Sequence, residues 1–311
     1  MTRPHIEPYC DRHVDFRRFT LPGFPRGMQY KMLSLDPDSG ACSLTVRWPA
    51  GYSLPPGMSY SEMEVFVLSG TLQIGTRSVG EGHYLWVPAG VALEALATSG
   101  GCEMLWFYNF GEPSFVESDA DHPLALRSAM VDISGYDDLS WRSGTRTPAV
   151  APGCFVKILR VDPVSKGYTF LYCMTPNFWQ DNISYHDCAE ESYHIWGTSH
   201  MMQFGYLPTG GYFWRPPYIN HGAFSSQLGC LALGRTDSDL FNYFHFNPWS
   251  TPGENRDWAL QRLANEKPEL HEWALSRDGH NHPAGSHAHL PGHTHSDAQG
   301  HAHKPRKRRS Y

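Results

Sequence analysis

No apolar run of about 18 residues or more occurs anywhere in the 311-residue chain, so no segment is built to cross a bilayer as a helix. A basic-then-apolar leader is also missing before Cys10. The sequence therefore reads as soluble, unexported and cytoplasmic, with no membrane partner. Basic excess is lacking as well. The 25 Lys and Arg stand against 31 Asp and Glu, a net charge of -6, which argues against a nucleic-acid partner. The seven cysteines (10, 42, 102, 154, 173, 188, 230) are odd in number and never form a CxxC pair. That pattern fits reduced thiols in a cytoplasm rather than a disulfide framework. What the chain does have is 14% aromatic residues with 29 Gly and 24 Pro, a composition suited to short strands joined by tight turns.

The text repeats. Lys31-Met32-Leu33-Ser34-Leu35-Asp36-Pro37 reads as an alternating strand running into a turn, and Lys157-Ile158-Leu159-Arg160-Val161-Asp162-Pro163 restates it 126 residues later. Glu64–Gly70 lines up with Glu191–Gly197 at an offset of 127, and Tyr84–Gly90 with Tyr212–Tyr218 at 128. A drift confined to turns is what a duplicated β domain produces.

The chemistry concentrates between Ser184 and His221. His186 precedes Glu190 by four residues, and an even spacing puts both on one face if one strand runs through them. His221 follows a turn marked by Pro216 and Pro217. Two imidazoles and a carboxylate on adjacent strands can close on one divalent ion and leave positions open for small ligands.

These stretches resemble the two motifs of the cupin superfamily, G-x5-H-x-H-x3,4-E-x6-G and G-x5-P-x-G-x2-H-x3-N. His186, Glu190 and Gly197 fit the first motif; Gly210, Pro216 and His221 fit the second. Ser184 replaces the first His, Tyr218 the inner Gly, and Ser225 the final Asn. The resemblance implies an all-β fold of two tandem jelly-roll barrels, at residues 26–110 and 150–248. An N-terminal arm (1–25), a connector (111–149) with a strand-like patch at Ala129–Ile133, and a helical extension (249–277) complete the organisation. It also implies a metal held by His186, Glu190 and His221. With Ser184 a poor ligand, the set is a facial 2-His-1-carboxylate group that suits Fe(II), with Mn, Ni or Zn as alternatives. Asp187 or Cys188 would close the site, and a thiolate would favour Zn.

Carried back by the repeat offsets, Ser184, His186, Glu190 and His221 fall on Gly57, Ser59, Met63 and Leu93. The first barrel keeps no ligand set, although His83, Glu62 and Glu64 lie close to these positions in sequence.

His194 shares the parity of Glu190 and should also point inward, as a proton shuttle or as a hydrogen-bonded core residue. Tyr185 and Tyr193 have the opposite parity and should pack outside; His200 is a candidate to enter from the next strand. Trp179, Trp196, Phe213, Trp214, Tyr218 and Phe224 read mostly as barrel core, with a minority lining an apolar mouth. Arg215 reads as a surface salt-bridge residue, with a substrate carboxylate as its alternative partner.

After Pro248 the apolar period turns helical (Trp258, Leu260, Leu263, Leu270, Trp273, Leu275) and is interrupted at Pro268. From Asp278 onward four His-x-His pairs stand among Gly, Pro, Ala and Ser, a low-complexity tail expected to be disordered and able to bind extra Zn, Ni or Cu.

The functional expectation is a metal-dependent enzyme, first of all a non-haem dioxygenase acting on a small aromatic or enolisable molecule. An isomerase or lyase that uses His194 to move a proton is the second reading. The third is a metal-holding protein similar to the zinc-binding cupin domain of ChrR-type anti-sigma factors. Cupins pair through strand edges, so the resemblance also implies a homodimer.

Overall fold

The computed structural model describes residues 3–143, 151–268, 271–272 and 274–275. The His-rich tail from Asp278 lies outside the described residues. The strands alternate buried apolar side chains on their two faces, and turn residues set their ends. At Asp36 and Asp162 the carboxylate folds back onto the next backbone amides (Asp38 N to Asp36 Oδ1, 3.1 Å; Val164 N to Asp162 Oδ1, 2.9 Å). The left-handed residue that closes each turn is Gly40 in the first copy and Lys166 in the second.

Two tandem jelly-roll barrels result, as the resemblance implies. In the first, the strands run in the order Val131–Ser134, His83–Val87, Glu62–Gly70, Cys102–Asn109, Cys42–Trp48, Gln29–Leu35, Arg17–Arg18. The second repeats it with Gly211–Arg215, Glu190–Met201, Cys230–Thr236, Tyr168–Met174 and Cys154–Val161. Even the bulges recur, after Met32 and Ile158 on equivalent strands.

The first residues do not remain apart as an arm. Ile6–Cys10 forms a strand against Gly211–Trp214 of the second barrel, the place that Val131–Ser134 takes against His83–Trp86 in the first. Each barrel edge is thereby covered by a strand from outside its own repeat. Asp11, 3% exposed, anchors the crossing by accepting from Thr45 and Tyr193, both at 3.1 Å.

Between the barrels, Phe66, Tyr84, Trp86 and Phe107 of the first pack against Tyr193, Tyr212, Trp214 and Leu233 of the second. A buried polar cluster sits among them. Arg235 bridges Glu64 (2.7 Å) and Glu191, while Tyr84 and Thr169 donate to Glu64 at 2.7 and 2.6 Å. Burial alone would raise the Glu64 pKa, but Arg235 and Arg160 hold it down to about 2. Glu64 is thus an inter-barrel ion-pair partner, and His83 pairs instead with Asp132 at 2.9 Å. The two do not form a second metal site.

The barrels differ inside. The first is filled, with a residual slot of about 20 Å³ against Trp106 and Tyr108. The second encloses a cavity of about 650 Å³. Matching strand registers explain the difference: Trp106 opposite Leu44 becomes Gly234 opposite Phe170, and Met104 opposite Val46 becomes Ala232 opposite Tyr172. A Cβ on Gly234 would stand 2.4 Å from the Phe170 ring, so the glycine admits that ring.

The helix Pro252–Glu266 begins with a capping box between Thr251 and Glu254 and ends two residues before Pro268. Its buried Asn255 and Ala259 lie against the second barrel, beside Tyr185 and Tyr243. No helix among the described residues is long and apolar enough to cross a membrane.

Candidate metal centre in the second barrel

His186 is the last residue of the strand Phe178–His186, Glu190 the first of Glu190–Met201, and His221 the first of His221–Ser226. The strand expected to run through His186 and Glu190 does not; Asp187–Ala189 turn the chain between them. Both side chains still reach one point because the strand ends sit at one mouth of the barrel. The turn is pinned by Tyr218 N donating to the His186 carbonyl (2.7 Å) and by Ala189 N donating to Asp237 (2.9 Å). Tyr218 occupies the position of the inner motif glycine and adopts the left-handed φ of +68° that glycine would supply.

One donor atom from each of His186, Glu190 and His221 lies within 4.8 Å of the other two. The Nε2 atoms of the imidazoles are 2.9 Å apart, and His186 Nε2 is 3.5 Å from Glu190 Oε2. Donors at right angles about 2.1 Å from one ion stand about 3.0 Å from each other, so the spacing suits a shared divalent ion. His221 Nδ1 lies 2.9 Å from the Ile219 carbonyl, which can only accept. The proton therefore sits on Nδ1 and the Nε2 lone pair is free for a metal. Burial, with His186 and Arg215 nearby, holds the His221 pKa well below its ordinary range, leaving the ring neutral as a ligand must be.

Asp187 and Cys188 do not join this group. Asp187 instead accepts from Phe241 N at 3.3 Å, and Cys188 is buried. The donor set is open towards the cavity, whose wall includes Ser184, Tyr172, His194 and Arg215.

His194 is inward, 1% exposed, with Nε2 2.8 Å from Ser199 Oγ and no partner at Nδ1. Burial lowers its pKa to about 4, so it is neutral at neutral pH. His200 does not enter; it packs against Tyr206 outside the cavity, the two rings tilted by 60°. Tyr185 and Tyr193 lie outside the lumen yet are buried, Tyr185 stacked on Tyr243 and Tyr193 between the barrels. Phe213 and Phe224 line the cavity, whereas Trp179 and Trp196 are 61% and 59% exposed and so are not core. Arg215 is no surface residue. It is 2% exposed and sits in the cavity wall, because its parity with Phe213 turns it inward. The alternation Tyr168, Phe170, Tyr172 carried the signal for further wall residues that the sequence reading did not use.

The profile of DUF4437, a domain of unknown function, matches residues 26–243. The chain belongs to the DUF4437 family. No curated protein sequence matches it. Among solved structures, this DUF4437 chain is similar to a presumed dioxygenase of Nostoc punctiforme PCC 73102. That likeness has a TM-score of 0.71 at 22% identity, covering 77% of this chain and 87% of the other. It is also similar to Ylba of E. coli, from family DUF861 (TM-score 0.51, 14% identity, 74% and 89% covered). The formate complex of Lactobacillus farciminis oxalate decarboxylase is a third likeness (TM-score 0.51, 10% identity, 85% and 95% covered). These likenesses are of fold, and the fold is that of the cupin superfamily.

Proposed function

We propose that this DUF4437 protein is a metal-dependent cupin enzyme acting on a small organic molecule in its second barrel, and within that class a non-haem Fe(II) dioxygenase. The observation that carries the proposal is the convergence of His186, Glu190 and His221 at the mouth of a cavity of about 650 Å³, while the equivalent barrel is filled and shows no metal-donor cluster among the described residues. A divalent ion there supplies Lewis acidity and, as Fe(II), the capacity to reduce dioxygen. The chain's own residues do the rest. Phe170, Phe178, Phe224 and Phe244 make an apolar wall that binds a hydrocarbon body and excludes water. The Ile219 carbonyl fixes the tautomer of His221. His194, neutral and with no partner at Nδ1 among the described residues, is a group in the wall placed to take or return a proton.

The likeness to the presumed dioxygenase of Nostoc punctiforme supports the reaction class. The neutral His194 favours an isomerase or lyase as second reading, in which the ion only polarises a carbonyl. An oxygen electrode separates them across a panel of small phenols and diketones. Oxygen uptake that is lost on chelation and in His221→Ala supports the dioxygenase. Turnover without uptake supports the second reading, and activity indifferent to both treatments sinks the proposal. A purely metal-holding role, of the ChrR kind, would show one bound ion and no turnover.

A further inference from the structure

The cavity wall holds a cation that the metal donors do not account for. Arg215 stands directly across from Glu190 in the antiparallel pairing of their strands. The buried Arg160 meets Asp162, and Arg235 meets Glu64 and Glu191. Arg215 has no carboxylate within ion-pair distance among the described residues. Its Nη2 donates to the Met201 sulfur at 3.0 Å, and the rings of Phe213 and Phe204 lie 4.0 and 5.1 Å from the guanidinium carbon. Nε and Nη1 have no acceptor among the described residues.

A thioether is a weak acceptor and ring faces do not neutralise a charge, so this burial is costly as it stands. The architecture does not require it. In the first barrel the same place, opposite Met63, is taken by Val87. Glu190 and Glu7 act on the guanidinium only through space. A cation retained in a cavity wall with no carboxylate hydrogen-bonded to it, where the sister barrel carries valine, is placed for a ligand that brings one. The guanidinium fork matches a carboxylate. The cavity's volume and its walls of Ile158, Phe170, Phe178, Phe224 and Phe244 call for a body far larger than a two-carbon diacid.

We propose that Arg215 anchors the carboxylate of the substrate, and that the substrate is an organic acid with an apolar body of aromatic size. This rests on the reading that substrate occupies the second barrel beside the metal donors, and it names the class of that substrate.

The test is calorimetric titration of the full chain, once treated with chelator and once reloaded anaerobically with Fe(II). The probes are phenylpyruvate, its primary amide, 3-phenylpropionate and oxalate. Phenylpyruvate should bind about tenfold or more tighter than its amide in both preparations, the increment of a charge-assisted hydrogen-bonded pair. Arg215→Gln and Arg215→Met should abolish that preference and Arg215→Lys should keep part of it. Absence of phenylpyruvate binding, equal binding of acid and amide to the unaltered chain, or a preference surviving in Arg215→Gln would each overturn the proposal. Oxalate binding as tightly as phenylpyruvate would overturn the apolar-body half. The comparison with 3-phenylpropionate, which lacks only the keto oxygen, reports on the ion separately. If phenylpyruvate has no Fe(II)-dependent advantage over it, the metal reading fails while the acid-to-amide comparison still decides the role of Arg215.

Discussion

Glu190 and Arg215 face each other across two antiparallel strands, and Met63 and Val87 face each other at the same two places in the first barrel. One duplicated register thus carries two apolar residues in a filled barrel, and in a hollow one an acid and a base that stand beyond ion-pair distance. An enzyme site on a stable scaffold commonly costs stability, and Arg215 is where that cost should show. Arg215→Met should raise the free energy of unfolding by about 2 kcal/mol, because it removes a buried charge without a partner and keeps the volume. Urea unfolding of the metal-free chain measures this; a loss of stability would show that the protein itself already satisfies the guanidinium.

The buried His194 makes a pH prediction. Its folded pKa is depressed by burial to about 4, against an ordinary 6.5. Between those values the unfolded chain binds more protons than the folded one, so stability is full above about pH 6.5 and falls as the pH drops towards 4. The contribution lost is about 3 kcal/mol. His194→Gln, which has no such proton to take up, should show a shallower fall in urea midpoint between pH 7 and pH 4.5. Parallel falls in the two proteins would mean that His194 titrates alike folded and unfolded.

Arg235 holds two buried carboxylates at the inter-barrel face, Glu64 and Glu191. Arg235→Met takes the nearest cation from both and leaves only longer pairs, Glu64 with Arg160 at 3.9 Å and Glu191 with Arg3 at 3.5 Å, and the expected cost is about 3 kcal/mol. Replacing Glu64 and Glu191 with Gln in the same chain should recover part of it. A cost below about 1 kcal/mol, as for an exposed pair, would argue that water reaches the cluster.

The helix should tune the metal centre from a distance. Asn255 Nδ2 donates to the Tyr218 carbonyl at 2.9 Å and to Asn220 Oδ1 at 2.8 Å, gripping the loop that delivers His221. Asn255→Ala removes no ligand, yet should weaken metal affinity by about tenfold or more, as loss of supporting contacts around a metal does. Competition with a chromophoric chelator reads the affinity; an unchanged value would make the helix a bystander.

Much of this was legible in the sequence because it is local or repeated. The Asp-Pro turns at 36 and 162 and the offset of 126 to 128 residues exposed the duplication, and the motif spacing picked out His186, Glu190 and His221. What escaped reading depends on distant pairing. Ile6–Cys10 looks like a polar arm until it meets Gly211–Trp214, some two hundred residues away. Arg215 beside two prolines looks exposed, and only the register opposite Glu190 turns it inward. Trp179 and Trp196 show the converse failure: large aromatics need not be buried, and the alternation of a strand leaves every second one outside. The hollow lumen was hidden too, since Ala232 and Gly234 are informative only beside Met104 and Trp106.

The central claim is that His186, Glu190 and His221 together hold one ion. So that any metal on the His-x-His pairs beyond Asp278 cancels, the decisive quantity is a difference in elemental content per chain between the natural protein and the His186→Ala/His221→Ala variant, both prepared without added metal. The account predicts that the natural protein carries one more divalent ion. Equal content in the two would contradict it.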